Sequence, residues 1–150
     1  MITIRKAKEA DCPAMMELIQ ELATYQREPE GVSVTMEEFV ASGFGTYPVW
    51  GAFVAERNNK IVGMALHYIR YSTWKGRSLY LEDLIVTKSE RGNGVGKLLL
   101  DATIAYAKEM NYSGMTWQVS TWNDPAINFY KKYETEFDKE WMNVSLTFAD

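Results

Sequence analysis

The stretch that most constrains this chain is Leu79-Tyr80-Leu81-Glu82-Asp83-Leu84-Ile85-Val86, followed after a short connection by Arg91-Gly92-Asn93-Gly94-Val95-Gly96-Lys97. A β-favouring apolar run gives way to alternating glycines. These lead into Val95, Leu99, Ala102 and Tyr106, which are spaced as one face of a helix. The order is strand, glycine loop, helix. Glycines at a helix start let backbone N–H groups approach phosphate oxygens, and the helix dipole adds partial positive charge there. Arg91 and Lys97 add full charges beside that cradle. A diphosphate-bearing ligand fits such a loop, although alternating glycines also occur in loops that merely precede a helix. The spacing does not fit a dinucleotide fingerprint, whose third glycine falls three residues after its second. Nor does it fit a P-loop, because Leu98 follows Lys97 where Ser or Thr belongs and Arg91 replaces the first glycine.

Around this centre the rest of the chain reads as a single domain, residues 1–150, with no linker, repeat or low-complexity tract. Residues 2–6 alternate as a first strand, and Asp11 is placed to cap a helix with Pro13 in its first turn. Met15, Leu18, Ile19, Leu22 and Tyr25 continue that helix as one apolar stripe. Thr35-Met36-Glu37-Glu38 starts a second helix with a capping-box pattern, and Gly43-Phe44-Gly45 ends it. Residues 50–56, 60–71 and 78–86 read as a β-meander, turning at Arg57-Asn58-Asn59 and at Lys75-Gly76. A further strand is expected over 114–121. Asp124 then caps a helix with Pro125 at its first position, and 137–148 alternate as one or two closing strands. The order β-α-α-β-β-β-α-β-α-β-β implies an α/β (α+β) fold, with a mixed, mostly antiparallel sheet flanked by helices.

Composition narrows the function. A formal charge of −4 and a pI near 5.1 argue against nucleic acid or an anionic membrane surface as partner. No apolar run reaches the roughly 20 residues of a membrane helix. Cys12 is the only cysteine and His67 the only histidine, so no disulfide framework, Cys-rich zinc site or multi-imidazole metal site is expected. Both are assigned to packing. No apolar segment follows the charges at the N-terminus, and a reducing cytoplasm is the expected setting.

The glycine loop Arg91-Gly92-Asn93-Gly94-Val95-Gly96 resembles the acetyl-CoA pyrophosphate loop of the GNAT superfamily of N-acetyltransferases, whose element order is also this one. Glu21-Leu22-Ala23, Gly43-Phe44-Gly45, Tyr80-Leu81-Glu82-Asp83, Trp122-Asn123 and Asn128-Phe129-Tyr130-Lys131 are similar to the spermidine/spermine acetyltransferase group. Tyr71-Ser72-Thr73-Trp74-Lys75-Gly76-Arg77 is most similar to the thialysine-acetylating branch of that group.

That resemblance implies direct transfer of acetyl from acetyl-CoA to a primary amine of a small molecule, in a ternary complex and without a metal. A primary ammonium of pKa about 10.4 is neutral in only about 1 molecule in 2,500 at pH 7, so a base is needed. The resemblance makes Glu82 that base, acting through ordered water, and Tyr130 the acid that protonates the departing sulfur. Neighbouring strand residues face opposite ways, so Glu82 and Asp83 can share one channel only across a bulge, which the resemblance also implies. Leu84, Ile85 and Val86 would offer backbone groups to the pantetheine arm, one N–H of this stretch serving as oxyanion donor. Arg91, Gly92, Asn93, Gly94, Val95, Gly96 and Lys97 would hold the diphosphate, and Asn123, Asp124, Pro125 and Ala126 would line the far side. Tyr25, Gln26, Trp74, Glu82 and Asp83 would border the acceptor. The acceptor is expected to be a thialysine- or lysine-like amine or a diamine or polyamine. Polyamine-acetylating members tend to carry carboxylates where this chain has Gln26 and Ser72, so polyamine binding is expected to be weaker and an amino-acid-like or simpler amine gains ground. A homodimer is the usual assembly of the group. Protein or peptide acetylation and a non-catalytic CoA-binding sensor are the alternatives. The sequence also departs from the group at Tyr133-Glu134, where a glycine turn is usual.

Overall fold

Two-residue alternation and tight turns account for most of the sheet. The structure, a computed structural model, describes residues 1–148. It comprises two units, Met1–Trp117 and Gln118–Asp150. In the first, β1 (Thr3–Lys6), β2 (Gly51–Arg57), β3 (Lys60–Ser72), β4 (Gly76–Val86) and β5 (Met115–Thr116) form one sheet in that spatial order. The first three pairings are antiparallel, and β4 pairs β5 in parallel through a helical crossover. This is the mostly antiparallel mixed sheet that the sequence implies. Asn58 and Asn59 both take positive φ, 52° and 63°, as a two-residue type I′ hairpin turn requires.

Three helices cover the sheet: α1 (Cys12–Tyr25), α2 (Met36–Phe44) and α3 (Val95–Glu109). Cys12, Met15 and Leu18 of α1 and Phe39 of α2 bury against Ala52, Val54, Met64, Leu66 and Ile85. On the opposite face α3 buries Val95, Leu99, Leu100, Thr103 and Ala107. A Cβ on Gly63 would meet Leu99 and Val95, so β3 and α3 approach closely there. His67 is buried on this face, its ring 5.2 Å from Tyr106 and 5.9 Å from Phe53. Burial, then the charge of Lys6, pushes its imidazole down to about 4, so it is a neutral packing group at pH 7.

Thr35 caps α2, its Oγ accepting from the Glu38 N–H at 3.1 Å. Asp11 precedes α1 as expected, but its carboxylate does not cap that helix. It accepts the Lys8 N–H at 2.8 Å and a bidentate pair of Arg5 N–H groups at 2.8 and 3.0 Å. Arg5 also bonds Glu56 across the β1–β2 ladder. The Arg5 hydrogen bonds hold the Asp11 carboxyl below its ordinary value. The stability this contributes is present above the unfolded-state value near 4 and lost as pH falls through the depressed native value. Asp11→Ala is expected to cost about 2 kcal/mol at pH 7 in urea unfolding, with the difference from wild type shrinking below about pH 4.

The second unit holds α4 (Asp124–Tyr130). Here the cap lies one residue earlier than the sequence suggests. Asn123 Oδ1 accepts the Ala126 N–H at 3.3 Å, and Asp124 and Pro125 lie inside the first turn. Two strand expectations are corrected. The strand expected over 114–121 is reduced to Met115–Thr116. The alternation over 137–148 forms no strand among the described residues. Its apolar members Met142, Val144, Leu146 and Phe148 are each more than 80% exposed. Period-two patterning defines a strand's faces but does not supply the neighbouring backbone that a ladder needs.

Candidate active site

Strand β4 carries the chemistry because its ladder to β3 is interrupted. Leu66 and His67 are adjacent on β3, yet they oppose Asp83 and Leu81. Glu82 is therefore the extra residue of a β-bulge. Residues paired across antiparallel strands share a face, so Asp83 lies on the α1 face with Ile85, Leu66 and Met64. Glu82 turns toward the same side, since its Oε1 accepts from the hydroxyl of Tyr68, opposite Tyr80 on that face, at 3.1 Å. The bulge implied by the resemblance is thus present, and it sets two carboxylates side by side.

The two carboxylates differ in surroundings. Glu82 is exposed and bonded to Tyr68. Burial, then the Glu82 charge and hydrogen bond, pushes the Tyr68 phenol up to about 12, so it remains a donor. Tyr68 stacks on Tyr80 at 5.2 Å, and the Arg70 guanidinium lies 5.7 Å from the Tyr80 ring. Asp83 is half-buried, and no described residue donates a hydrogen bond to it. Burial, then repulsion from Glu82, pushes its carboxyl up to about 6.

Beyond the bulge, β5 pairs with β4 only at Leu79 and Tyr80. The β5-side edge of β4 through Leu84, Ile85 and Val86 has no strand partner among the described residues, and such an edge can accept an extended ligand. The strand then runs through Lys88–Glu90 into the glycine loop. Gly92 and Gly94 take φ of +83° and +79°, a region that an L side chain enters at a cost. A Cβ at either would meet nothing, so conformation rather than crowding requires glycine. The left-handed Gly94 begins α3, and the first amide of the helix ladder comes from Leu98, donating to Gly94 O. The N–H groups of Val95, Gly96 and Lys97 are left as the free donors of a helix start. Together with the cations of Arg91 and Lys97 they fit a diphosphate.

Arg91 is already held in place. Its Nε donates to Val86 O at 3.1 Å, it pairs with Glu21 at 3.4 Å, and its guanidinium lies 5.1 Å from the Tyr25 ring centre. Glu21 also accepts from Thr87 Oγ1 at 2.8 Å and the Lys88 N–H at 2.9 Å. The end of α1, with Tyr25 and Gln26, is thereby tied to the glycine loop. Lys97 pairs with Asp101 at 2.6 Å on the exposed face of α3.

Trp74 stands apart from these groups. It tops the β3–β4 hairpin, 92% exposed and about 20 Å along the strand from Glu82. Ser72 Oγ is occupied there, accepting the Trp74 and Lys75 N–H groups at 3.1 Å each. In the second unit, Asn123, Asp124, Pro125 and Ala126 form the cap and first turn of α4, and Tyr130 ends that helix, buried. Burial pushes its phenol above the ordinary value, which keeps it protonated at neutral pH.

Sequence reasoning missed Tyr68, the partner of Glu82, and the clasping role of Glu21. Reflecting β3 onto β4 about the turn near Trp74 would have set Tyr68 opposite Tyr80 and close to Glu82. An open cleft of about 790 Å³ shares Tyr68 with this site and is otherwise lined by Trp50, His67, Tyr106 and Tyr112 among others. Neither the carboxylates nor the glycine loop line it, so volume does not mark this site. Among the described residues no cluster of three metal-ligating side chains occurs, and no helix is long and apolar enough to cross a membrane.

Residues 12–134 match the acetyltransferase (GNAT) family. Over 138 residues the chain is 37% identical to a thialysine N-epsilon-acetyltransferase of Bos taurus, covering 87% of this chain and 81% of that protein. Its fold matches that of an aminoglycoside acetyltransferase from an uncultured soil metagenomic sample, solved in complex with sisomicin. The TM-score is 0.80 at 21% identity, covering 99% of this chain and 97% of that one. An aminoglycoside N-acetyltransferase solved in complex with CoA matches with a TM-score of 0.77 at 17% identity, covering 97% and 95%.

Proposed function

The chain belongs to the GNAT acetyltransferase family, and from that premise we propose that it transfers acetyl from acetyl-CoA directly to the primary amine of a small, lysine-like molecule. The observation that carries this reading is the bulge that sets Glu82 and Asp83 side by side on a strand leading into a diphosphate-fitting loop. Acceptor and donor sites on one strand bring amine and thioester together, which lowers the entropic part of the barrier. Leu84, Ile85 and Val86 take the pantetheine arm along the open edge. Arg91, Gly92, Asn93, Gly94, Val95, Gly96 and Lys97 take the diphosphate. Asn123, Asp124, Pro125 and Ala126, at the start of α4, are assigned to the cofactor by the family resemblance alone.

In the reaction, a carboxylate strips the ammonium and the freed amine attacks the thioester carbonyl. A β4 backbone N–H stabilises the oxyanion, and the family resemblance assigns protonation of the departing sulfur to Tyr130. Cys12 is buried in the core, and burial raises its thiol, which argues against an acyl-cysteine route. The lysine-like acceptor is favoured over a polyamine because Gln26 is neutral and Ser72 Oγ is engaged in its own turn. Tyr25, Gln26, Glu82 and Asp83 border that acceptor. Trp74 would join them from the hairpin tip of a second copy in a cytoplasmic homodimer. That reading is supported by the exposure of Ile69, Tyr71 and Trp74 along the arm.

CoA release from acetyl-CoA tests this against thialysine, lysine, ornithine, spermidine and a lysine-containing peptide. The expected result is turnover with thialysine or lysine, with kcat/KM at least tenfold above that for spermidine. Tight acetyl-CoA binding without turnover of any amine would overturn it in favour of a sensor.

A further inference from the structure

We propose that Asp83 accepts the proton from the acceptor ammonium, while Glu82 remains anionic and anchors that cation. This assignment rests on the acetyltransferase reading above.

The geometry separates the two roles. Glu82 is the bulged residue, exposed to the entering amine, and the Tyr68 hydroxyl donates to its Oε1 at 3.1 Å. A hydrogen bond donated to a carboxylate favours its charged form. Asp83 sits one residue further in, opposite Leu66 and on the same face as Ile85, with no donor among the described residues. An undonated, half-buried carboxylate beside a fixed negative charge is the one that holds a proton more readily. Of two neighbouring carboxyl groups, the half-buried one without a donor is placed to act as base, and the exposed one bonded to Tyr68 is placed to hold a cation.

The charged and titratable groups on the packed elements agree with this. On the sheet face these are Glu82, Tyr68, Tyr80 and Arg70, with Arg70 lying over the Tyr80 ring. From α1, Glu21 is engaged by Thr87, Lys88 and Arg91, and Tyr25 lies under Arg91. Burial and Glu82 act on Asp83, and both push its carboxyl up, to about 6. A base of that strength is well matched to neutral pH, better than an ordinary carboxylate near 4.

The protons balance. R–NH3⁺ and ionised Asp83 give R–NH2 and protonated Asp83, and the amine nitrogen forms the new C–N bond. On collapse the C–S bond breaks and sulfur takes the Tyr130 proton, which the second N–H proton of the intermediate replaces. Asp83 returns its proton to solvent, so one proton is released per acetyl transferred.

The test is the pH dependence of kcat/KM with whichever amine the wild type acetylates, for wild type, Asp83→Asn and Glu82→Gln. The wild-type acidic limb is expected near pH 6, with activity rising as Asp83 ionises. Asp83→Asn should lower kcat about 100-fold, leave the amine KM within about threefold and abolish the limb. Glu82→Gln should raise the amine KM about tenfold, leave kcat within about threefold and move the limb to lower pH, because a neighbouring charge is gone. The reverse pattern, with Glu82→Gln erasing the limb, would overturn the assignment while leaving the acetyltransferase reading intact. Absence of wild-type turnover with any amine would overturn both. Carboxyl NMR titration of the wild type provides a measurement independent of the variants. A midpoint for Asp83 clearly above that of Glu82 supports the assignment, and the opposite order defeats it.

Discussion

Under the proposed mechanism, Tyr130→Phe is expected to lower kcat about 100-fold while leaving acetyl-CoA affinity within about twofold, because a general acid acts only as the leaving group departs. Tyr130 closes α4 and is buried, and burial raises its phenol, so the proton is present throughout the neutral range. The change removes one oxygen and keeps the ring, so contacts such as the tilted packing on Phe129 at 5.5 Å survive. A leaving-group series separates chemistry from packing. With an acetyl thioester of an aromatic thiol, whose thiolate departs without protonation, the defect should shrink to a few-fold. A defect equally large with both thioesters would assign Tyr130 to packing. In the wild type, activity that depends on this acid should persist until the pH exceeds 10, because the folded-state value is raised rather than lowered.

The largest loss of stability is expected from Gly43→Ala, about 3 kcal/mol by chemical unfolding. A Cβ at Gly43 would lie 2.5 Å from the Cε2 and Cη2 atoms of the Trp50 ring. That ring is held in place by its packing and its hydrogen bond. It stacks on Phe39 at 4.7 Å, meets Phe44 edge-on at 5.5 Å, and its Nε1 donates to Phe39 O at 3.2 Å. Displacing it would disturb the end of α2 and the entry to β2 together. Gly45→Ala has a related obstacle, since its Cβ would meet Ala41 O at 2.5 Å. By contrast, Gly114→Ala meets nothing and takes no positive φ, so it should change stability by less than about 0.5 kcal/mol. Equal effects at positions 43 and 114 would refute the steric account. The glycines of Gly43-Phe44-Gly45 are thus explained by close packing against Trp50 and the Ala41 carbonyl.

The sequence alone determined what depends on neighbours a few residues apart. Apolar spacing marked α1 and α3, Arg57-Asn58-Asn59 marked a hairpin turn, Thr35 marked a cap, and the glycine cluster marked a loop leading into a helix. These follow from helix period, strand period and the conformational freedom of single residues, and all are written locally. Pattern also misled where locality was not enough. Residues 137–148 alternate without forming a ladder among the described residues, and the Asp11 carboxylate serves Arg5 and Lys8 instead of its own helix. Only the tertiary structure decided how the site is differentiated. The register between β3 and β4 makes Glu82 the bulged residue and brings Tyr68 to it across 14 positions. Packing against the α1 face withdraws Asp83 from water and from any donor, while its neighbour stays solvated. Adjacent acidic residues have nearly the same intrinsic acidity, so the raised Asp83 carboxyl arises first from burial, which depends on residues distant in sequence, and then from the Glu82 charge that the bulge sets beside it.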